Sequence, residues 1–130
     1  MSRKFAREQA FKLIYEYCIT NKKNPLTYKE LTAEGDMAAE DAEYVNGVFN
    51  GATAHFDELS AEIARTAEGF SLERVYKIDL AILLLALYEI RYLPEVPVSV
   101  AINEAVELAK TYSTEKSKSF INGILAQAVK

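Results

Sequence analysis

The side chains best suited to chemistry in this sequence are cations at its two ends, and the chemistry they suit is the binding of an anion. Residues 1–12 carry a net charge of +3 and residues 110–130 carry the same, although the 130-residue chain has a formal charge of −4. Between them, residues 30–68 hold ten acidic side chains against Arg65 alone. We therefore predict that both ends contribute to one anion-binding surface. The cations are Arg3, Lys4, Arg7 and Lys12 in the first segment, opposed by Glu8, and Lys110, Lys116, Lys118 and Lys130 in the last, opposed by Glu115.

The first of these basic segments has helical spacing. Arg3 and Arg7 lie four residues apart with Lys4 beside them, so on a helix they form one exposed patch. Cations near a helix N-terminus oppose the helix dipole and cost a few tenths of a kcal/mol, so local stability does not explain three of them. A solvated helix face is one interpretation, and an anionic partner is the other.

Catalytic and metal-binding chemistry has little support in the sequence. The only histidine, His55, and the only cysteine, Cys18, lie in no motif that would pair a nucleophile with a base, and together they cannot build a zinc site. The five glycines are isolated, so no phosphate-binding loop is present. The carboxylates are spread along solvated helix faces. We predict a binding protein and not an enzyme, with no cofactor, metal or internal disulfide.

These cations need a scaffold, and the scaffold is organised around residues 78–93, IDLAILLLALYEIRYL. The apolar run from Leu80 to Leu87 leaves no turn with a polar side, which predicts a helix buried on all faces. Its abundant Ala and Leu favour a helix over a strand. The run is shorter than the roughly 20 residues that span a bilayer, so we expect other helices and not a membrane around it.

Apolar residues at helical spacing predict the remaining helices, at about 3–19, 27–33, 37–55, 56–67, 98–112 and 115–129. Gly35 and Gly69 are expected to end helices, and Asp36 and Ser71 to begin them. No strand pattern competes, so the fold class is all-α, with about seven helices in one domain spanning residues 1–130. The N-terminus lacks the apolar run of a secretory signal, and we expect a reducing, cytoplasmic location.

The C-terminal third carries a longer motif. Residues 102–110 read INEAVELAK, and Ser117 is followed by Phe120, Ile121, Asn122, Gly123, Ile124 and Leu125. This pattern resembles the signature of the NusB family of transcription antitermination factors. The resemblance extends upstream to AILLLALYEI at residues 81–90 and to AREQAFKLIY at residues 6–15, and so covers essentially the whole chain.

The resemblance implies an all-helical fold of two small packed subdomains without catalytic activity. It implies binding of box A RNA, from the leader and spacer regions of ribosomal RNA operons, together with NusE, a ribosomal small-subunit protein. The pair would then join other Nus factors on elongating RNA polymerase and suppress premature termination.

The resemblance also implies roles for particular residues. Arg3, Lys4 and Arg7 match the family's basic lead-in and would contact phosphates, while Phe120 matches an aromatic residue at the RNA edge. A plain core position is the alternative for Phe120. Asp79 matches an acidic position on the NusE-facing side, although an exposed carboxylate there would also complement the helix dipole. Lys116 and Lys118 would add charge beside Phe120.

The sequence departs from the family pattern in three places. Leu84 and Ser119 replace usual basic residues, and Ala126 replaces an acid. The first replacement removes the basic partner of an ion pair in the central helix, and the second shifts one charge of the RNA contact to Lys118. A different class of function also stays open, a helical interaction protein that forms homodimers and binds no RNA. The NusB-like module of an RNA methyltransferase is excluded as a complete enzyme, because 130 residues leave no room for the catalytic domain.

Overall fold

The computed structural model describes residues 3–33, 37–67 and 72–130, and within these ranges every regular element is a helix. The signals at Gly35, Asp36, Gly69 and Ser71 lie outside the described residues. The prediction of an all-α fold with about seven helices is confirmed. The helices are α1 (Arg3–Thr20), α2 (Pro25–Ala33), α3 (Ala39–Ala54), α4 (Phe56–Thr66), α5 (Lys77–Tyr92), α6 (Val98–Tyr112) and α7 (Ser117–Ala128), with a single 3-10 turn at Leu72–Arg74 before α5.

Helix α5 is the centre of the fold, as its composition predicts. All eight residues from Leu80 to Leu87 are buried, and the helix contacts α1, α3, α4, α6 and α7. Leu84, one of the positions at which the sequence departs from the pattern that it resembles, is completely buried in this core. No helix in the described ranges is both long and apolar enough to cross a membrane.

The other helices form two groups that share α5. Helix α1 packs against α2 and α3, whereas α7 packs against α4 and α6, and α5 contacts members of both groups. This arrangement agrees with the expectation of two small helical subdomains. It places the start of α1 and the start of α7, which carry the basic ends, in different groups.

Helix α2 begins at Pro25, two residues before the predicted start, whereas α3 and α7 each begin two residues after theirs. Proline is favoured at the first position of a helix because its fixed φ is already helical and its missing N–H would have no partner there. The side chain of Asn24 accepts a hydrogen bond of 3.0 Å from the Leu26 N–H. The turn before it is closed by Asn21, whose φ of 59° is one that asparagine tolerates better than most residues.

Candidate nucleic-acid interface

Arg7, one of the three predicted phosphate contacts on α1, points into the protein. Its Nε and Nη2 atoms donate to both carboxylate oxygens of Glu89 on α5, at 2.9–3.1 Å, and Tyr44 donates to the same carboxylate at 3.0 Å. Glu104 lies 3.8 Å from its Nη1. Arg7 is 6% exposed, so the prediction that it belongs to an exposed patch is wrong. Glu89 is itself buried at the end of α5, and a buried carboxylate requires a paired cation.

The electrostatics of this cluster favour the ion pair. Burial by itself would lower the pKa of Arg7, but the hydrogen bonds and negative charge of Glu89 outweigh it and the pKa is raised. Burial, followed by the charge of Glu89, raises the pKa of Tyr44, so its hydroxyl stays protonated as a donor. We conclude that Arg7 positions α1 on α5, while a contact between Arg7 and RNA stays a prediction.

Arg3 remains at the surface but is already engaged. Its Nε donates to Asp41 on α3 at 3.0 Å, and its guanidinium lies 4.3 Å from the centre of the Tyr44 ring. Its side chain is 44% exposed, so part of the guanidinium faces solvent. Arg3 can therefore meet a phosphate only while retaining or exchanging an internal ion pair.

Lys4 is the exposed cation of this segment that has no ion pair within 4.0 Å among the described residues. It lies beside α6, where it lines a small depression with Glu104 and Glu107. The pKa of Glu107 is lowered, mainly by its hydrogen bond to Lys110 and to a smaller degree by the charge of Lys4. An anionic ligand at Lys4 would thus approach acidic side chains as well.

The start of α7 presents its cations differently. Lys116 and Lys118 are both exposed, and neither forms an ion pair with any residue in the ranges that the structure describes. Phe120 is half-buried and packs against the core, so it combines a core contact with a face on the surface cleft described below. Lys116 and Phe120 line the same cleft, whereas Lys118, two residues from each along the chain, does not line it.

Asp79 holds the start of α7 in place through hydrogen bonds. It is 3% exposed, and its two carboxylate oxygens accept hydrogen bonds from Ser113, at 2.5 Å, and from Ser117, at 2.9 Å. The Ser117 hydroxyl also lies 2.8 Å from that of Thr114. Asp79 is thus not an exposed carboxylate at the helix start. It ties the α6–α7 corner to α5, and its predicted contact with NusE stays untested.

The two basic ends are separated along α5. The start of α1 is fixed to Glu89, whereas the start of α7 is fixed to Asp79, ten residues earlier and about 15 Å away along the helix. The end of α6 joins the two regions, because the Tyr112 hydroxyl donates to Glu8 on α1 at 2.9 Å. A ligand that touched both ends would have to be extended, as a nucleic-acid strand is.

Two residues that were not predicted from the sequence also line the surface beside the start of α7. Arg74 and Tyr76, just before α5, line the same surface cleft as Lys116 and Phe120. The available signal was an arginine and a tyrosine directly before a wholly apolar helix, where neither is needed for the core. Sequence spacing alone does not bring residues 74–76 next to residues 116–120.

Comparison with known proteins identifies relatives along the whole chain. The sequence model of the NusB family matches residues 4–130. A protein from Acetivibrio thermocellus, described as transcription antitermination protein NusB, is 43% identical over 130 residues, covering 100% of this chain and 90% of its own. The structure of NusB from T. maritima superposes with a TM-score of 0.88 at 28% identity, covering 98% of this chain and 90% of that one.

A further solved structure includes ligands. It is described as a crystal structure of the antitermination factors NusB and NusE in complex with double-stranded RNA, and the matched chain has a TM-score of 0.85 at 27% identity. The match covers 97% of this chain and 94% of that chain. The fold described above is therefore also found in a protein solved with RNA and a protein partner.

Proposed function

The chain belongs to the NusB family, and from this membership we propose that it is a transcription antitermination factor that binds box A RNA of ribosomal RNA operons together with NusE. It acts by binding, as a single domain over residues 1–130, and not by catalysis. The RNA-bound pair joins other Nus factors on elongating RNA polymerase, in the cytoplasm, and promotes processive transcription.

The observation that carries this proposal is the α7 start. The family signature on α7 begins at Ser117 and contains the half-buried Phe120. Lys116 directly precedes the signature and Lys118 lies within it, and both lysines are exposed and without ion pairs in the described part of the chain. Single-stranded RNA is recognised by phosphate contacts combined with stacking on aromatic side chains. Lysines beside an aromatic residue supply both.

The α1 start has a secondary part in the proposed site. Lys4 and the exposed portion of Arg3 supply additional phosphate contacts to an RNA strand that runs along α6. Arg7 acts through Glu89 to hold α1 in place, and Asp79 acts through Ser117 to hold α7. These two residues are positioning residues in the proposal.

Fluorescence anisotropy tests the proposal. Labelled single-stranded box A RNA is titrated with the full chain, alone and with saturating NusE, with a scrambled RNA of equal length and a duplex as controls. We expect weak binding alone, tighter binding with NusE, and a preference for box A over the scrambled strand. If NusE leaves the affinity unchanged, the proposal is wrong.

The salt dependence of the same titration identifies the contacting lysines. Each phosphate contact to a single strand contributes about 0.7 to the slope of log K against log salt, so the Lys116→Ala, Lys118→Ala double variant should lose about 1.4. Lys29→Ala, on the exposed face of α2, is the matched control and should leave the slope unchanged. A chain that binds no RNA but elutes as a dimer in size-exclusion chromatography would support the homodimeric interaction protein instead.

A further inference from the structure

The surface cleft beside α7 is lined in part by residues that lie outside the family signature. Its volume is about 260 Å³, and it lies between residues 74–76, at the start of α5, and the α6–α7 corner. Pockets that hold drug-sized ligands run from about 300 to 1,000 Å³, so this cleft suits a smaller group. Its lining includes Arg74 and Tyr76 from the residues before α5 and Lys116 and Phe120 from the start of α7.

Tyr76 is the unusual member of this lining. It precedes the first residue of α5 and is 62% exposed. Within the described ranges its hydroxyl has no hydrogen-bond partner and its ring stacks on no other ring. Other tyrosines of the chain are used internally, such as Tyr44 and Tyr112, which donate to Glu89 and Glu8. Among the described residues Tyr76 has no comparable internal hydrogen bond.

The two cations of the cleft also lack ion pairs among the described residues. Arg74 and Lys116 form no ion pair with any residue that the structure describes. By contrast, Arg3, Arg7 and Arg91 are all paired with carboxylates, namely Asp41, Glu89 and Glu62. Asp79, the acid at the cleft, has each of its oxygens hydrogen-bonded to a serine.

An exposed aromatic ring that shares a cleft with two unpaired cations has a particular ligand chemistry. The ring offers a flat surface for stacking, and the cations attract negative charge close to it. A nucleotide within a single strand has both properties, an aromatic base and flanking phosphates. An apolar side chain of a partner protein would fill the cleft as well, but it would leave both cations without a counter-charge.

We propose that Tyr76 stacks on one unpaired base of the bound RNA, with Arg74 and Lys116 on the flanking phosphates. This inference rests on the proposed function and extends its site from α7 to the start of α5. It makes Tyr76 and Arg74 RNA-binding residues in addition to those of the signature. It also gives the α7 region a base contact that the α1 region lacks.

A base-by-base fluorescence measurement tests the stacking. 2-Aminopurine is placed at successive positions of the single-stranded RNA, and its emission is followed as the full chain is added. We expect quenching at one position with the wild-type chain and with Tyr76→Phe, which keeps the ring, and none at that position with Tyr76→Leu, which keeps apolar bulk. The dissociation constant of Tyr76→Leu should rise by about 5- to 150-fold, the usual range for one stacked base.

The proposed contact between Arg74 and a phosphate is tested separately. Arg74→Ala should reduce the salt slope by about 0.7, and Lys29→Ala on α2 should not change it. Urea midpoints check that each variant is folded, and an exposed residue such as Tyr76 should leave the midpoint unaltered.

The outcomes separate this inference from the proposed function. If the wild-type chain binds no RNA, the proposed function fails. If the wild-type chain binds RNA and Tyr76→Leu binds it equally well, only the role of Tyr76 is overturned. If Tyr76→Leu binds RNA normally but binds NusE more weakly, the cleft takes a protein side chain, and the inference is likewise overturned.

Discussion

The two basic ends of the chain carry the same net charge and use it in opposite ways. At the start of α1, Arg7 is buried on Glu89 and Arg3 is paired with Asp41. At the start of α7, Lys116 and Lys118 are exposed and without ion pairs in the described ranges. The first end therefore uses its arginines mainly to hold the fold together, and the second leaves its lysines available to a ligand.

The net charge of a segment does not show whether its cations are paired within the fold. Arginine is suited to buried ion pairs because its planar guanidinium binds both oxygens of a carboxylate, whereas the lysine ammonium is more strongly hydrated and costs more to bury. The residue types at the two ends follow this division. The same net charge of +3 thus comprises arginines that stabilise the fold at one end and lysines that are available to a ligand at the other.

The strongest test of the comparison is Arg7→Ala. The variant leaves the carboxylate of Glu89 buried without its cation, and breaking a buried pair in this way costs about 3–5 kcal/mol. Urea unfolding should show that loss in the free energy of unfolding. Lys118→Ala is the matched control from the other end and should change it by less than about 0.5 kcal/mol. Equal effects of the two substitutions would remove the distinction between the ends.

The next largest effect is expected at Asp79, which stabilises the α7 start without using its lysines. Asp79→Ala removes the acceptor of two serine hydroxyls, and we expect a loss of about 2 kcal/mol in the free energy of unfolding, with a smaller loss for Asp79→Asn. Ser60→Ala is a useful control, since the buried Ser60 hydroxyl has no hydrogen-bond partner among the described residues and its removal should cost little. A near-neutral Asp79→Ala would mean that the α6–α7 corner is held by packing alone.

The smallest effect concerns Tyr112, which joins the end of α6 to α1. Burial, assisted by the hydrogen bond to Glu8, raises the pKa of Tyr112 to about 12. The neutral phenol is therefore favoured in the folded state, and its contribution is complete below the unfolded pKa of about 10 and is lost as the pH rises to about 12. We expect Tyr112→Phe to lower the free energy of unfolding by about 1 kcal/mol at pH 8 and to flatten its decline above pH 10.

Urea unfolding between pH 8 and pH 11.5 measures that profile. Tyr76→Phe, at an exposed tyrosine without a hydrogen bond in the described ranges, is the control and should leave the profile as it is. A Tyr112→Phe profile parallel to that of the wild-type chain would show that the contact between Tyr112 and Glu8 does not stabilise the junction.

The fold could be predicted from the sequence because its signals are local. The apolar run from Leu80 to Leu87 identifies α5 without any knowledge of its neighbours, and the same holds for the spacing of apolar residues in the other helices. The bounds of α2 differed because Pro25 was assigned to the preceding turn, although its fixed φ also suits the first position of a helix.

The site was less predictable because exposure depends on distant residues. The spacing of Arg3 and Arg7 correctly places them on one face of α1, where both guanidinium groups lie near the Tyr44 ring. Whether this face is buried or exposed depends on Glu89, which lies 82 residues further along the chain. A signal was present, since Arg7 also lies three residues before the buried Ala10 and seven before the buried Ile14, and so continues the apolar stripe.

The pairing of Arg7 with Glu89 also has a consequence for biosynthesis. Helix α1 is made first, yet its partner α5 leaves the ribosome only after another 82 residues have been added. At the usual elongation rates, roughly 5–20 residues per second, Arg7 on α1 waits about 4–16 s for its counter-charge. During that interval α1 can already pack against α2 and α3, which are made before α5, so the ion pair between Arg7 and Glu89 cannot contribute to the first packing of α1.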